Sequence, residues 1–94
     1  MKTLLLSADQ IKNLSKQLPG WEVKGASINR AYKFKNFVEA FAFMTQVAFI
    51  AEKINHHPDW ENTYNVVKIK LTTHDLGGLT NIDIKMANSI NEIA

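Results

Sequence analysis

Apolar positions along the chain fall into helical and extended periods in turn. Ile11, Leu14 and Leu18 recur at helical spacing behind Ser7, and Gln10 stands three residues after the serine. That order predicts a first helix opening at Ser7 with a capping box, in which the serine hydroxyl and the glutamine side chain satisfy each other's backbone amides. Pro19-Gly20 ends it, because proline lacks the N–H that a further turn needs and glycine tolerates the bend. Trp21 and Val23 then alternate with Glu22 and Lys24 as a short strand. After the turn-like Gly25-Ala26-Ser27, a second strand sets Ile28, Arg30, Tyr32 and Phe34 against Asn29, Ala31, Lys33 and Lys35, and the two strands read as a hairpin.

Asn36, with Glu39 at the third position, caps the next segment. From Phe37 to Ile54 there is neither glycine nor proline. Phe37, Phe41, Met44, Ala48 and Ala51 form one stripe at helical spacing, and Ala40, Phe43, Val47, Ile50 and Ile54 form a second beside it. Phe49 falls outside both. Covering one side of a sheet takes one such stripe, so the second points to burial against another body, most simply another copy of the chain. Pro58 closes the helical region, and Asp59-Trp60 leads into an extended segment. Val67, Ile69, Leu71 and Thr73 alternate with Lys68, Lys70 and Thr72 as a half-buried strand, with His74 at its end. Asp75-Leu76-Gly77-Gly78 is a loop. Thr80 and Asp83 form another capping box, and Ile82, Met86, Ile90 and Ile93 give the last helix its apolar side. This order predicts an α+β fold in which helices cover one face of an antiparallel sheet.

Composition narrows the class. The chain has 94 residues, enough for a single domain over 1–94, and is 46% hydrophobic and 21% charged, which excludes a disordered chain. A formal charge of +2 is no nucleic-acid footprint. There is no cysteine, hence no disulfide, thiolate metal site or thiol nucleophile. The segment from Met1 to Leu6 is too short for a signal-peptide core, and no stretch approaches the roughly 18 apolar residues of a membrane span. A cytoplasmic protein is expected.

The three histidines all fall between positions 56 and 74: His56, His57 and His74. Two follow the long helix and the third ends the next strand, so one rim of a sheet can gather them. Imidazole titrates near pH ~6.5 and can give or take a proton at neutral pH, so such a cluster suits general acid–base work on a small molecule. His56 and His57 have a second reading, as cations favoured at a helix C-terminus. Asp75 beside His74 is a carboxylate placed to orient it, and Glu52, four residues before His56, shares a helix face with it if the helix persists. Three histidines with an open position would suit zinc, but adjacent histidines chelate poorly and no H-E-x-x-H pattern is present. The serines lack a nucleophile-elbow context. Trp60 and Tyr64 flank the histidines as candidates for stacking on a flat ligand or for the core.

The runs Glu52-Lys53-Ile54-Asn55-His56-His57-Pro58-Asp59-Trp60, Tyr64-Asn65, Leu71-Thr72-Thr73-His74-Asp75 and Gly77-Gly78-Leu79-Thr80 with Asp83 resemble the pterin-4a-carbinolamine dehydratase family. The resemblance implies a four-stranded antiparallel sheet with three helices on one face, dimers formed by extending the sheet, and in some members tetramers through the long helices. It implies a pterin substrate, 4a-hydroxytetrahydropterin, dehydrated to quinonoid dihydropterin without metal or organic cofactor, as a step in recycling the cofactor of aromatic amino-acid hydroxylases. Carried over by residue, His56 is the leading general acid, His74 the second acid/base group, and His57 binds and orients the 4a-hydroxyl. Pro58 and Thr73, His74, Asp75 and Leu76 line the pterin, and Glu52 and Asp83 are orienting carboxylates. The alternative implied is a non-catalytic interaction module, since an animal member serves as a dimerisation cofactor for a homeodomain transcription factor through its helical surface.

Overall fold

A computed structural model describes residues 2–94; Met1, at the head of the segment read as too short for a signal core, lies outside the described residues. Ser7 opens the first helix as expected, its Oγ accepting from the Gln10 amide while Gln10 Oε1 accepts from the Ser7 amide. That helix does not run through to Pro19. It divides into α1 (Ala8–Lys12) and α2 (Leu14–Gln17) at Asn13, whose amide bonds back to Asp9 and Gln10. Two short pieces therefore stand where one helix was expected, and Leu14 of the second and Leu18, which ends it, reach the core.

Four strands follow: β1 (Glu22–Lys24), β2 (Ser27–Lys33), β3 (Asp59–Thr63) and β4 (Val66–Leu71), ordered β1-β2-β4-β3 and antiparallel throughout. The 18-residue helix α3 (Phe37–Ile54) links the two hairpins, and α4 (Asn81–Ile93) closes the chain. Alternation decides the faces. Ile28, Tyr32, Val67, Ile69 and Leu71 turn towards the helices and are buried, whereas Ala31, Lys33, Lys68 and Lys70 lie on the exposed face. Ala40, Phe43, Val47 and Ala51 of α3, with Met86, Ala87 and Ile90 of α4, fill the layer above the sheet. The Phe43 ring meets Tyr32 and Phe34 at centroid distances of 4.9 and 4.8 Å.

One polar group is built into this layer. Asn91 Oδ1 accepts from Trp21 Nε1 at 3.0 Å, Arg30 Nη1 at 2.9 Å and the Tyr32 hydroxyl at 2.7 Å, tying α4 to the first hairpin. Burial raises the Tyr32 pKa above 10.0, against smaller lowering by Arg30 and Trp21.

Of the two stripes on α3, the one through Ala40, Phe43 and Val47 meets the sheet. Phe37, Phe41 and Ala48 of the other stay exposed, as do Val38 and Phe49 beside them. No helix among the described residues is long and apolar enough to cross a membrane.

Candidate functional site

The β3–β4 hairpin sets the geometry of the site. Its register pairs Asp59 with Lys70 and Thr63 with Val66, so residues 56–58 and 72–74 leave the sheet at the same end. Helix α3 arrives at that end. Its last turn closes on Asn55, which adopts a left-handed conformation (φ 53°, ψ 46°), and the His56 amide bonds back to the Ala51 carbonyl. Asparagine enters this region at lower cost than other residues with a side-chain branch at Cβ or beyond. The reversal changes the direction of the chain between Glu52 and the histidines, which determines their partners.

His56 turns inward. Its Nε2 lies 2.6 Å from Asp83 Oδ1, and the Asp83 side chain is fully buried while that of His56 is 13% exposed. His57 turns outward, with Nε2 2.6 Å from Glu52 Oε2, and both side chains are largely exposed. Glu52 thus pairs with His57 and not with His56, contrary to the expectation from helical spacing, because the helix has already ended at Asn55. Each of these imidazoles places its Nε2 on a carboxylate.

His74 stands on the first residue of a short 3-10 turn (His74–Leu76) that Gly77 ends with φ 70°, a backbone region open to glycine. Thr73 and Gly78 exchange backbone hydrogen bonds of 3.0 and 3.3 Å across the base of this loop. Gly78 is also packed by the N-terminal segment: a Cβ there would sit 3.2 Å from the Leu5 side chain. The His74 partner is Asp59, Nε2 to Oδ2 at 3.1 Å, in place of the expected Asp75, which is exposed. Asp59 is the neighbour of His74 that sequence reasoning did not single out. Fifteen residues separate it from His74, and strand register alone brings them together. A cleft of about 290 Å³ opens beside His74, lined also by Lys24, Ser27, Lys70 and Thr72.

The remaining candidates divide. Pro58 is half-buried between His57 and Asp59, and Leu76 is exposed on the loop. Thr73 directs its hydroxyl to Asp83 Oδ2 at 2.8 Å, and its own N–H and C=O are both bonded to Gly78. Asp83 does cap α4, since its Oδ2 accepts from the Thr80 amide at 2.9 Å, and its other oxygen meets His56. Trp60 packs half-buried against the core. Tyr64 does neither of the things expected of it. It is exposed at the β3–β4 turn with φ 50°, at the opposite end of the hairpin from the histidines.

Three histidines, each with a carboxylate, are therefore gathered at one end of a hairpin. This can move protons to and from a small molecule at the rim. Among the described residues no group of three or more histidine, aspartate or glutamate side chains is disposed to hold one metal ion.

Comparison with known proteins identifies the family. The family model described as pterin 4 alpha carbinolamine dehydratase matches residues 4–93, and the chain belongs to that family. A protein of Prochlorococcus marinus (strain MIT 9515), provisionally named pterin-4-alpha-carbinolamine dehydratase, is 54% identical over 93 residues, covering 99% of this chain and 97% of the relative. A similarly named protein of strain MIT 9303 is 50% identical over 91 residues, covering 97% and 95%. Among solved structures, the transcriptional coactivator/pterin dehydratase of Brucella melitensis superposes with a TM-score of 0.91 at 45% identity, covering 97% of this chain and 99% of that one. A pterin dehydratase-like protein identified as a RuBisCO assembly factor in the alpha-carboxysome shares the fold, with a TM-score of 0.65 at 20% identity over 79% of this chain and 86% of that one.

Proposed function

We propose that the chain dehydrates 4a-hydroxytetrahydropterin to quinonoid dihydropterin, with His56, His57 and His74 as its proton-handling groups. The observation that carries this reading is the set of three imidazole–carboxylate pairs, His56–Asp83, His57–Glu52 and His74–Asp59, at one end of the β3–β4 hairpin. Loss of water breaks the bond from C4a to the hydroxyl oxygen as that oxygen takes a proton. A ring nitrogen gives up its proton as the C=N bond forms. Each transfer gains about 10²–10⁴-fold from a placed imidazole. His56 is the general acid towards the leaving oxygen, His74 the second acid/base group, and His57 holds the 4a-hydroxyl. Pro58 and the stretch Thr73–Leu76 frame the bicyclic ring, and Glu52 and Asp83 orient the imidazoles bonded to them.

The test is a stopped-flow dehydration assay on chemically prepared carbinolamine. His56→Ala and His74→Ala are expected to stay folded and lose most of the rate. A folded double variant with wild-type turnover sinks the proposal.

A second reading rests on the exposed face of α3, where Val38 is 76% and Phe49 72% accessible. Apolar area of this kind marks a protein contact surface, and we assign it to a second copy of the chain in a homodimer or homotetramer. Sedimentation of the wild type and of Phe49→Glu tests this: the wild type is expected to self-associate and the variant to dissociate. A monomeric wild type would instead favour a partner of another kind.

A further inference from the structure

Two threonine hydroxyls stand behind the Asp83 carboxylate, and their hydrogens can be assigned in one direction. Thr73 Oγ1 donates to Asp83 Oδ2 at 2.8 Å, which uses its single hydrogen. In the contact of 2.8 Å between the Thr73 and Thr80 hydroxyls, Thr80 must therefore donate. Thr80 Oγ1 in turn accepts from the Ile82 amide at 3.2 Å. The chain runs from Ile82 N–H through Thr80 and Thr73 to Asp83 Oδ2, where the Thr80 amide also donates at 2.9 Å. Oδ2 is filled by two donors, and Oδ1 faces His56 Nε2 at 2.6 Å. Thr80 and Asp83 are both fully buried, so bulk water does not compete for these groups.

A carboxylate oxygen accepts and does not donate. The hydrogen in the His56–Asp83 bond therefore sits on Nε2, which leaves the Nδ1 lone pair free in the neutral ring. We infer that Thr73 and Thr80 are positioning residues. Their hydroxyls fix the rotation of the Asp83 carboxylate, the carboxylate fixes the tautomer of His56, and Nδ1 becomes the nitrogen that exchanges a proton with substrate. The last step rests on the proposed dehydratase reading; the tautomer does not. Thr73 joins two ends of the site, because its backbone starts the loop that carries His74 while its side chain sets the group behind His56.

The experiment is two-bond ¹H–¹⁵N correlation NMR of the full chain with labelled histidine, at about pH 9, where an ordinary imidazole is neutral. It is read alongside kcat and KM for Thr73→Val and Thr73→Ser. The wild type and Thr73→Ser are expected to show His56 protonated on Nε2 with a pyridine-like Nδ1. Thr73→Val keeps the shape of the side chain without its hydroxyl. It is expected to show mixed tautomers, with kcat down roughly tenfold, as for one hydrogen bond to a charged group, and KM nearly unchanged. A purely structural threonine would leave the ring signals alone. If Thr73→Val does not fold, Asp83→Asn replaces it. Its amide N–H₂ turned to His56 should move the ring proton to Nδ1.

A wild-type His56 protonated on Nδ1, or a Thr73→Val chain with unaltered ring signals and unaltered kcat, overturns the inference. Expected ring signals in a chain that turns over no carbinolamine support the positioning relation and sink the enzymatic reading instead.

Discussion

Replacing Asp83 separates its two roles. Asp83→Ala removes the acceptor of hydrogen bonds from His56, Thr73 and the Thr80 amide in a place where no water reaches. Breaking a buried pair by deleting one partner costs about 3–5 kcal/mol. A domain holds about 5–15 kcal/mol in all, so this variant is expected to be marginally folded and a poor reporter of catalysis. Asp83→Asn is the informative change. Its oxygen can turn to the Thr80 amide and keep the helix cap, while its N–H₂ meets His56 Nε2. The expected loss of stability is about 1 kcal/mol, a fall in Tm of ~4–8 °C for a chain of this size. The imidazole must then present its lone pair to the amide, which puts the ring proton on the nitrogen meant for substrate. In a serine-protease triad the same carboxylate-to-amide change lowers kcat by about 10⁴ through the wrong tautomer. Here, with other imidazoles at the rim, a fall of ~10²–10⁴ is expected in single-turnover stopped flow on preformed carbinolamine. A folded Asp83→Asn chain with kcat within about threefold of wild type would refute the claim that Asp83 acts through His56.

Three further outcomes are expected. His57 and Glu52 are both exposed, so Glu52→Gln should change Tm little, as expected of a surface pair worth about 0–1 kcal/mol, yet lower kcat/KM several-fold; an unaffected kcat/KM removes Glu52 from the site. Asn55→Val at φ 53° should cost ~1–2 kcal/mol in urea unfolding while Asn55→Gly is nearly neutral, and equal stability of the two would refute the left-handed turn. Because burial raises the Tyr32 pKa above 10.0, the unfolded chain ionises first as pH climbs past that value. The Tyr32 contribution is complete below pH 10.0 and is lost through the higher folded pKa; Tyr32→Phe should flatten this alkaline loss, and a parallel loss in the variant would refute it.

Caps and strand alternation were legible in the sequence, whereas the break of the first helix at Asn13 and the pairings of the histidines were not. All three capping residues, Ser7, Asn36 and Thr80, open helices; Ser7 and Thr80 form complete capping boxes, whereas behind Asn36 the Glu39 side chain accepts from the Lys35 amide instead. The alternation in β2 and β4 gave the buried faces correctly. The three imidazoles do leave one end of the sheet, as their positions after α3 and after β4 suggested. Their carboxylates were assigned by proximity in sequence, and there two of the expectations failed. Glu52 pairs with His57 because the left-handed Asn55 ends the helix one residue before His56. His74 finds Asp59 because β3 and β4 are in a register that no local pattern encodes. Asp83 was legible as a cap and through the family resemblance, and its Oδ1 contact with His56 follows from the docking of α4.

All three imidazoles and two of their acids come from the stretch between Glu52 and His74, which a helix end and one hairpin arrange. The third acid arrives only with the C-terminal helix, anchored at its far end by Asn91. That helix also supplies Met86, Ala87 and Ile90 to the core, so the carboxylate behind His56 and the layer over the sheet are set in place together. If the proposed reaction holds, its full rate would depend on the docking of the last segment of the chain as well as on the three imidazoles.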